Sequence, residues 1–200
     1  MIVGNGLIAT QFRNVFSKKD KILVFASGVS NSLCNSEDEF KREKKILLQE
    51  IKDKIKINSF IYFSTISVND RSVKTTSYVK HKLEMEKIVL AHPKSKIFRL
   101  GQLASRNREN SYNLLNFLNN SIKSKKKINL WVDSFRSIID VEDVVKIVHQ
   151  IVTGPSIKEK IINISNPNFN SILEIVEVFE KVKRLKLEYV NVNKGNKFHI

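Results

Sequence analysis

Two apolar runs, KILVFAS at 21–27 and SFIYFST at 59–65, constrain the fold of this chain more than any other feature. A strand with one wet face alternates apolar and polar residues, whereas these runs stay apolar at consecutive positions. Such strands are covered on both faces, as in a parallel sheet layered between helices. Longer amphipathic segments separate them: LIATQFRNVF (7–16), EDEFKREKKILLQEIKDKI (37–55) and SYVKHKLEMEKIVL (77–90). KIFRLGQL (96–103) is a third strand and IVGNG (2–6) a very short first one. Strand and helix in alternation predict an α/β fold with a largely parallel sheet.

Beyond residue 105 the pattern changes to a smaller mixed unit. SYNLLNFLNNSIKS (111–124), DVEDVVKIVHQIV (140–152) and SILEIVEVFEKV (171–182) read as helices, INLWV, IINIS and KLEYVNV as strands. Ser36 with Glu39, and Ser171 with Glu174, have capping-box spacing, and Asp140 stands where an N-cap is wanted. One domain over 1–200 is expected, with a core over 1–105 and a substrate-side cap over 106–200 that contains some core elements.

Composition narrows the partners. The net charge of +15 comes from dispersed lysines, and only Lys123 to Lys127 form a dense cluster. No stretch interleaves aromatic and basic residues as RNA-binding sheets do, so a small anionic substrate is favoured over nucleic acid. No apolar run reaches the ~18 residues of a membrane span, and no signal peptide is expected. A single cysteine, Cys34, excludes an intramolecular disulfide framework and suits the cytoplasm. His81, His92, His149 and His199 lack ligand spacing, so no metal is expected. Glu84, Glu86 and Lys87 read as helix-surface charges; Trp131 and Phe135 fit a ligand floor or cap packing equally well.

Chemistry concentrates in two places. Gly4-Asn5-Gly6-Leu7-Ile8-Ala9 fits G-x-G-x-x-(G/A) between a strand and a helix. Gly4 would permit the turn, Gly6 would admit a pyrophosphate to the backbone, and Ala9 would let the helix pack closely. Tyr78 and Lys82, four apart on a helix, share one face, and Thr65 ends a buried strand thirteen residues before Tyr78. By themselves Tyr78 and Lys82 suit either a catalytic pair or two surface neighbours. With Thr65 they supply the parts for moving a proton on a sugar hydroxyl or ketone. Tyr78 would be the acid/base, Lys82 the cation that lowers its pKa, and Thr65 the group that holds the substrate oxygen.

The ordered segments GNGLIA, VFASGVSNS, YFSTISV, SYVKHKLEMEKIV, FRLGQLAS, SFRSIIDVEDVVKIV and KIINISNPNFNSILEIVEVF resemble the extended short-chain dehydrogenase/reductases. More narrowly, they look like the NAD-dependent epimerase/dehydratase group acting on nucleotide sugars. The resemblance implies a Rossmann-like doubly wound parallel sheet and a cytoplasmic enzyme using NAD or NADP, in surface polysaccharide biosynthesis. It implies catalytic roles for Tyr78, Lys82 and Thr65. It places the cofactor against Gly4, Gly6, Leu7, Ile8, Ala26, Ser27, Gly28, Ser64, Leu100 and Gln102, with Tyr78 and Lys82. The substrate would meet Thr65, Gln102 and Arg136, whose guanidinium fork suits a diphosphate.

The chain departs from that pattern in one large respect. KILVFAS follows the first helix almost at once and resembles the family's fourth strand, so the second and third strands are expected to be absent. With them goes the Asp or Glu that ends the second strand about 20 residues after the glycine loop and holds the adenosine ribose. The segment between Thr65 and Tyr78 is short as well. The rival expectation is a catalytically reduced relative that binds a nucleotide or a partner protein, through a homodimer or complex made at the exposed sheet edge.

Overall fold

A computed structural model describes residues 1–16, 18–53, 57–105 and 113–197. Successive residues of a strand point to opposite faces, and strands β2 (Ile22–Phe25) and β3 (Ser59–Thr65) bury both sets. Ile22, Val24, Ile61 and Phe63 join Phe98 and Leu100 of β4 (Ser95–Leu100) in one cluster. Leu23, Phe25, Phe60 and Tyr62 join Ile97 of β4 in a second. Helices α1 (Leu7–Phe12) and α5 (Val141–Thr153) cover the first cluster with Phe12, Val144 and Val148. Helices α2 (Glu37–Asp53) and α3 (Ser77–Leu90) cover the second with Leu47, Met85 and Val89. The unalternating runs are thus buried on both faces, as a doubly wound sheet requires.

The central sheet has five parallel strands in the order β1 (Ile2–Val3), β2, β3, β4, β9 (Ile161–Ile164). This is a Rossmann-like fold in a shortened chain. The usual doubly wound order sets two strands on the far side of the first. Among the described residues β1 pairs with β2 alone. Only residues 13–21 link α1 to β2, too few for the crossovers that two further parallel strands would need.

The remaining elements build the cap. Leu118 of α4 (Leu114–Lys123) packs with Ile128 and Leu130 of β6 (Ile128–Trp131), and with Ile172, Ile175 and Val176 of α6 (Ile172–Lys183). Three two-stranded ribbons complete it. They are β6 with β11 (Tyr189–Val192), β7 (Phe135–Arg136) with β10 (Asn170–Ser171), and β5 (Gln102–Ala104) with β8 (Ile138–Asp140). Ser171 and Glu174 form a complete capping box, and the Asp140 carboxylate accepts from the Glu142 N–H at 2.8 Å. At α2 the Glu39 N–H donates to the Ser36 hydroxyl at 3.4 Å.

Helix α1 is shorter than its spacing predicts. It stops at Phe12, and Phe16 stacks on Phe12 (6.0 Å between centroids) and on His149 of α5 (5.6 Å). Burial of that ring on α5 outweighs further helical turns. The ends expected at 54–55 and 111–112, and His199, lie outside the described residues. No helix among the described residues is long and apolar enough to cross a membrane.

Candidate active site

Parallel strands present their carboxyl ends at one edge of the sheet. Val3 is in register with Phe25, and Thr65 with Leu100, so the residues after them meet at that edge. Gly4 has φ of 121°, and a Cβ there would lie 2.7 Å from the Ala26 carbonyl carbon and 2.9 Å from the Ser27 nitrogen. Only glycine satisfies both the dihedral and the contact. Gly6 caps α1, whose first residues Leu7 and Ile8 are half-buried and whose Ala9 is fully buried. A Cβ on Gly6 would meet nothing within 4 Å, so its backbone is open to close approach. That combination fits the phosphate side of a dinucleotide. No carboxylate follows the strand beside β1, so the adenosine side has no comparable partner there.

Tyr78, Lys82 and Thr65 do come together. Thr76 caps α3 by accepting from the Val79 N–H, which starts the helix just before Tyr78. Tyr78 is 7% exposed, and the nearby Thr65 hydroxyl favours its ionised form. Thr65 also accepts from the Ser67 N–H at 3.1 Å, beginning a 3-10 turn over Ile66–Asn69. The Lys82 Nζ lies 6.0 Å from the centre of the Tyr78 ring.

The expected electrostatics are reversed in this arrangement. Burial raises the Tyr78 pKa, the Glu43 charge raises it further, and the Thr65 hydroxyl opposes them. The Lys82 ammonium donates to the Tyr62 hydroxyl at 3.2 Å and to Glu43 Oε1 at 3.3 Å. Lys82 therefore faces a carboxylate, and the phenol rests protonated.

Sequence reasoning missed Glu43. Its carboxylate is 0% exposed on α2 and accepts from the Val29 N–H (2.6 Å) and the Tyr62 hydroxyl (2.7 Å) as well as Lys82. His81 Nε2 lies 2.9 Å from its Oε2, and the imidazole stacks on Phe40 at 4.4 Å. Burial alone would push Glu43 up; Lys82, then the His81, Tyr62 and Val29 hydrogen bonds, carry it down to about 2. Burial and then the same carboxylate hold the Tyr62 phenol well above its ordinary value.

Glu86 is a correction to the surface reading. It is 3% exposed, and accepts from the Ser64 hydroxyl at 2.6 Å and from Arg99 Nε and Nη2 at 2.9 and 2.6 Å. Ser64 therefore spends its hydroxyl on α3. Glu84 is exposed and pairs with Lys44 at 2.6 Å.

The other expected residues line the same edge or the cap. Residues 26–28 follow β2. The Ala26 N–H donates to the Val3 carbonyl at 2.8 Å, and Ser27 receives two bonds from Arg42 at 3.3 Å. Gly28 lies against Lys82 and Glu43. Leu100 is buried beside Thr65, and the Gln102 N–H donates to the Ser137 carbonyl at 2.8 Å where the chain enters the cap. Arg136 of β7 has its pKa lowered by burial, against the pull of the buried Asp70 carboxylate. Trp131 and Phe135 carry the ammonium groups of Lys194 and Lys197 at 4.1 and 5.3 Å, a cation–π contact within the cap.

No protein-family model matches the sequence, and no curated protein does. Solved structures do share its fold. A UDP-glucuronic acid 4-epimerase from Bacillus cereus, in complex with UDP-glucuronic acid and NAD, superposes with a TM-score of 0.68 at 17% identity. The match covers 96% of this chain and 68% of that one. A dTDP-glucose 4,6-dehydratase from Bacillus anthracis in complex with NAD gives 0.68 at 16% identity, over 90% of this chain and 63% of that one. RMD from Pseudomonas aeruginosa, complexed with NADPH, gives 0.66 at 15% identity, over 89% and 72%. The structural neighbours are thus nucleotide-sugar epimerases and dehydratases and other nicotinamide-cofactor proteins of like fold, and this chain spans about two-thirds of their length.

Proposed function

We propose that the protein is a shortened member of the NAD-dependent epimerase/dehydratase group of extended short-chain dehydrogenase/reductases. Its substrate is a nucleotide-linked sugar, handled in the cytoplasm for surface polysaccharide synthesis. The observation that carries this reading is the meeting of Tyr78, Lys82 and Thr65 at the carboxyl edge of the sheet, which also holds the open Gly6 turn.

A nicotinamide, bound as NAD or NADP, supplies the hydride chemistry in this reading. Gly4, Gly6, Leu7 and Ile8 would hold its phosphates, and Ala26, Ser27, Gly28, Ser64, Lys82, Leu100 and Gln102 would border the rest. Thr65 orients the sugar oxygen. The Tyr78 hydroxyl gives its proton to that oxygen as C=O becomes C–OH, and takes it back in the reverse direction. Arg136 holds the diphosphate with its charge-assisted fork, and Gln102 meets the sugar. Tyr78→Phe is expected to cut turnover of a nucleotide sugar at least 100-fold, the low end of the span for general acid–base groups, with cofactor affinity nearly unchanged. Calorimetry and single-turnover absorbance at 340 nm separate these effects. Intact turnover with lost binding would overturn the role of Tyr78.

The Lys82–Glu43 contact favours a second reading: a relative that keeps the nucleotide site without turnover, because the ammonium that should assist Tyr78 is balanced. Under that reading wild type and Tyr78→Phe bind cofactor alike, and neither changes the nicotinamide absorbance with any nucleotide sugar.

A further inference from the structure

Glu43 stands in the middle of a buried set of titratable groups. On α3 these are Tyr78, His81, Lys82 and Glu86, and on β3, Tyr62; the half-buried Arg99 of β4 answers Glu86. Glu43 comes from a different helix, α2, and uses both oxygens: Oε1 for Tyr62 and Lys82, Oε2 for Val29 and His81. Each partner is itself 6% exposed or less. A Cβ on Gly28 would lie 2.7 Å from Lys82 Nζ and 2.9 Å from Glu43 Oε1, so one layer of backbone separates this ion pair from whatever lies on residues 26–28.

We propose that Glu43 is a positioning residue for the Tyr78–Lys82 pair, anchoring the Lys82 ammonium from α2 and balancing its charge behind the phenol. The proposal rests on the reading of Tyr78 as the proton carrier. An unbalanced ammonium beside Tyr78 would favour phenolate, as an opposite charge within about 4–6 Å favours the ionised form. With Glu43 in contact with the same ammonium, that field is largely cancelled in a site of low dielectric. The tyrosine is thereby kept in its acid form until a positive charge arrives at the carboxyl edge. Nothing in a purely structural ion pair requires it to act on Tyr78, and that difference is measurable.

The test is a 19F NMR titration of the full chain with 3,5-difluorotyrosine at its four tyrosines, the Tyr78 resonance being assigned by its loss in Tyr78→Phe. Fluorination makes the phenols more acidic and brings Tyr78 into a range where the protein is folded. Glu43→Gln should move the Tyr78 titration down by about 1–3 units, and adding Lys82→Met should abolish that shift. Equal Tyr78 titrations in folded wild type and folded Glu43→Gln, to within about 0.3 unit, would overturn the proposal.

If Glu43→Gln does not fold, Glu43→Leu with Lys82→Met removes both charges in favour of apolar side chains, a change buried pairs often tolerate. Tyr78 should then titrate within about half a unit of wild type, and a shift of more than about one unit would overturn the charge balance. The titrations use no cofactor or substrate. A failure here leaves turnover by Tyr78 standing, and an absence of turnover leaves the hold of Glu43 on Tyr78 standing.

Discussion

Glu43 is a buried carboxylate, so its ionisation ties the stability of the fold near the site to pH. Its folded pKa, about 2, lies below its ordinary 4.5. It therefore contributes stability that is fully present above about pH 4.5 and is lost as pH falls toward about 2. Thermal melts from pH 6 to pH 2.5 should show a steep fall in Tm for wild type and a shallower one for Glu43→Gln. At pH 6 the variant should lie roughly 3 kcal/mol below wild type, the cost of leaving a buried cation without its partner. Parallel Tm profiles for the two would remove the role assigned to the carboxylate.

Glu43 hides in the run KREKK, where any charge reads as part of a solvated face. The available signal is helical phase: Phe40, Glu43 and Leu47 fall on one stripe at spacings of three and four, and that stripe faces the core. Glu86 shares a stripe with Lys82, Met85 and Val89 in the same way. Charge type alone suggested the surface; position on the helix placed both inside. Tyr78, Lys82 and Thr65 were legible because their spacing matched a known pattern, but the direction of the Lys82 ammonium depends on a residue 39 positions away.

Among the elements, α3 carries the site, and it is fastened to the sheet by charge as well as by apolar packing. Glu86 receives two bonds from Arg99 of β4 and one from Ser64 of β3, so its helix is held over both strands one turn beyond Lys82. Arg99→Leu leaves Glu86 buried without its cation and should cost about 3–5 kcal/mol in urea unfolding. Replacing Glu86 by Leu as well should recover much of that loss. A double variant no more stable than Arg99→Leu would mean that the clamp contributes through shape and not through charge. The strands and long helices were readable because burial imposes period and length on them. In the cap, β6 and β11 were legible as INLWV and KLEYVNV, but the β7–β10 ribbon was not: its strands have two residues each, too short to show any period. The shortened α1 was hidden for another reason, since Val15 and Phe16 continue an apolar pattern that tertiary packing on α5 uses without a helix.

At the scale of the molecule, the parallel sheet of the described residues ends at β1, and this bears on how a dinucleotide would be held. Under the proposed function, the turn at Gly4 and Gly6 and the edge at Thr65 and Tyr78 would serve the phosphate and nicotinamide halves. The strands that normally carry the adenosine half have no counterpart between α1 and β2. Under the proposed function, the adenylate part of the cofactor should add little affinity. Calorimetric titration should find NAD⁺ and nicotinamide mononucleotide binding within about tenfold of each other, a difference of about 1.4 kcal/mol or less. Affinity for NAD⁺ more than about 100-fold higher would mean that another surface replaces the missing strands. The outer edge of β1, unpaired among the described residues, supplies one such route, since such an edge can accept a strand from a second chain. Sedimentation at micromolar concentration distinguishes the two cases: tight NAD⁺ binding by a monomer places the adenosine contacts within this chain, whereas tight binding that rises with dimer formation places them on the partner.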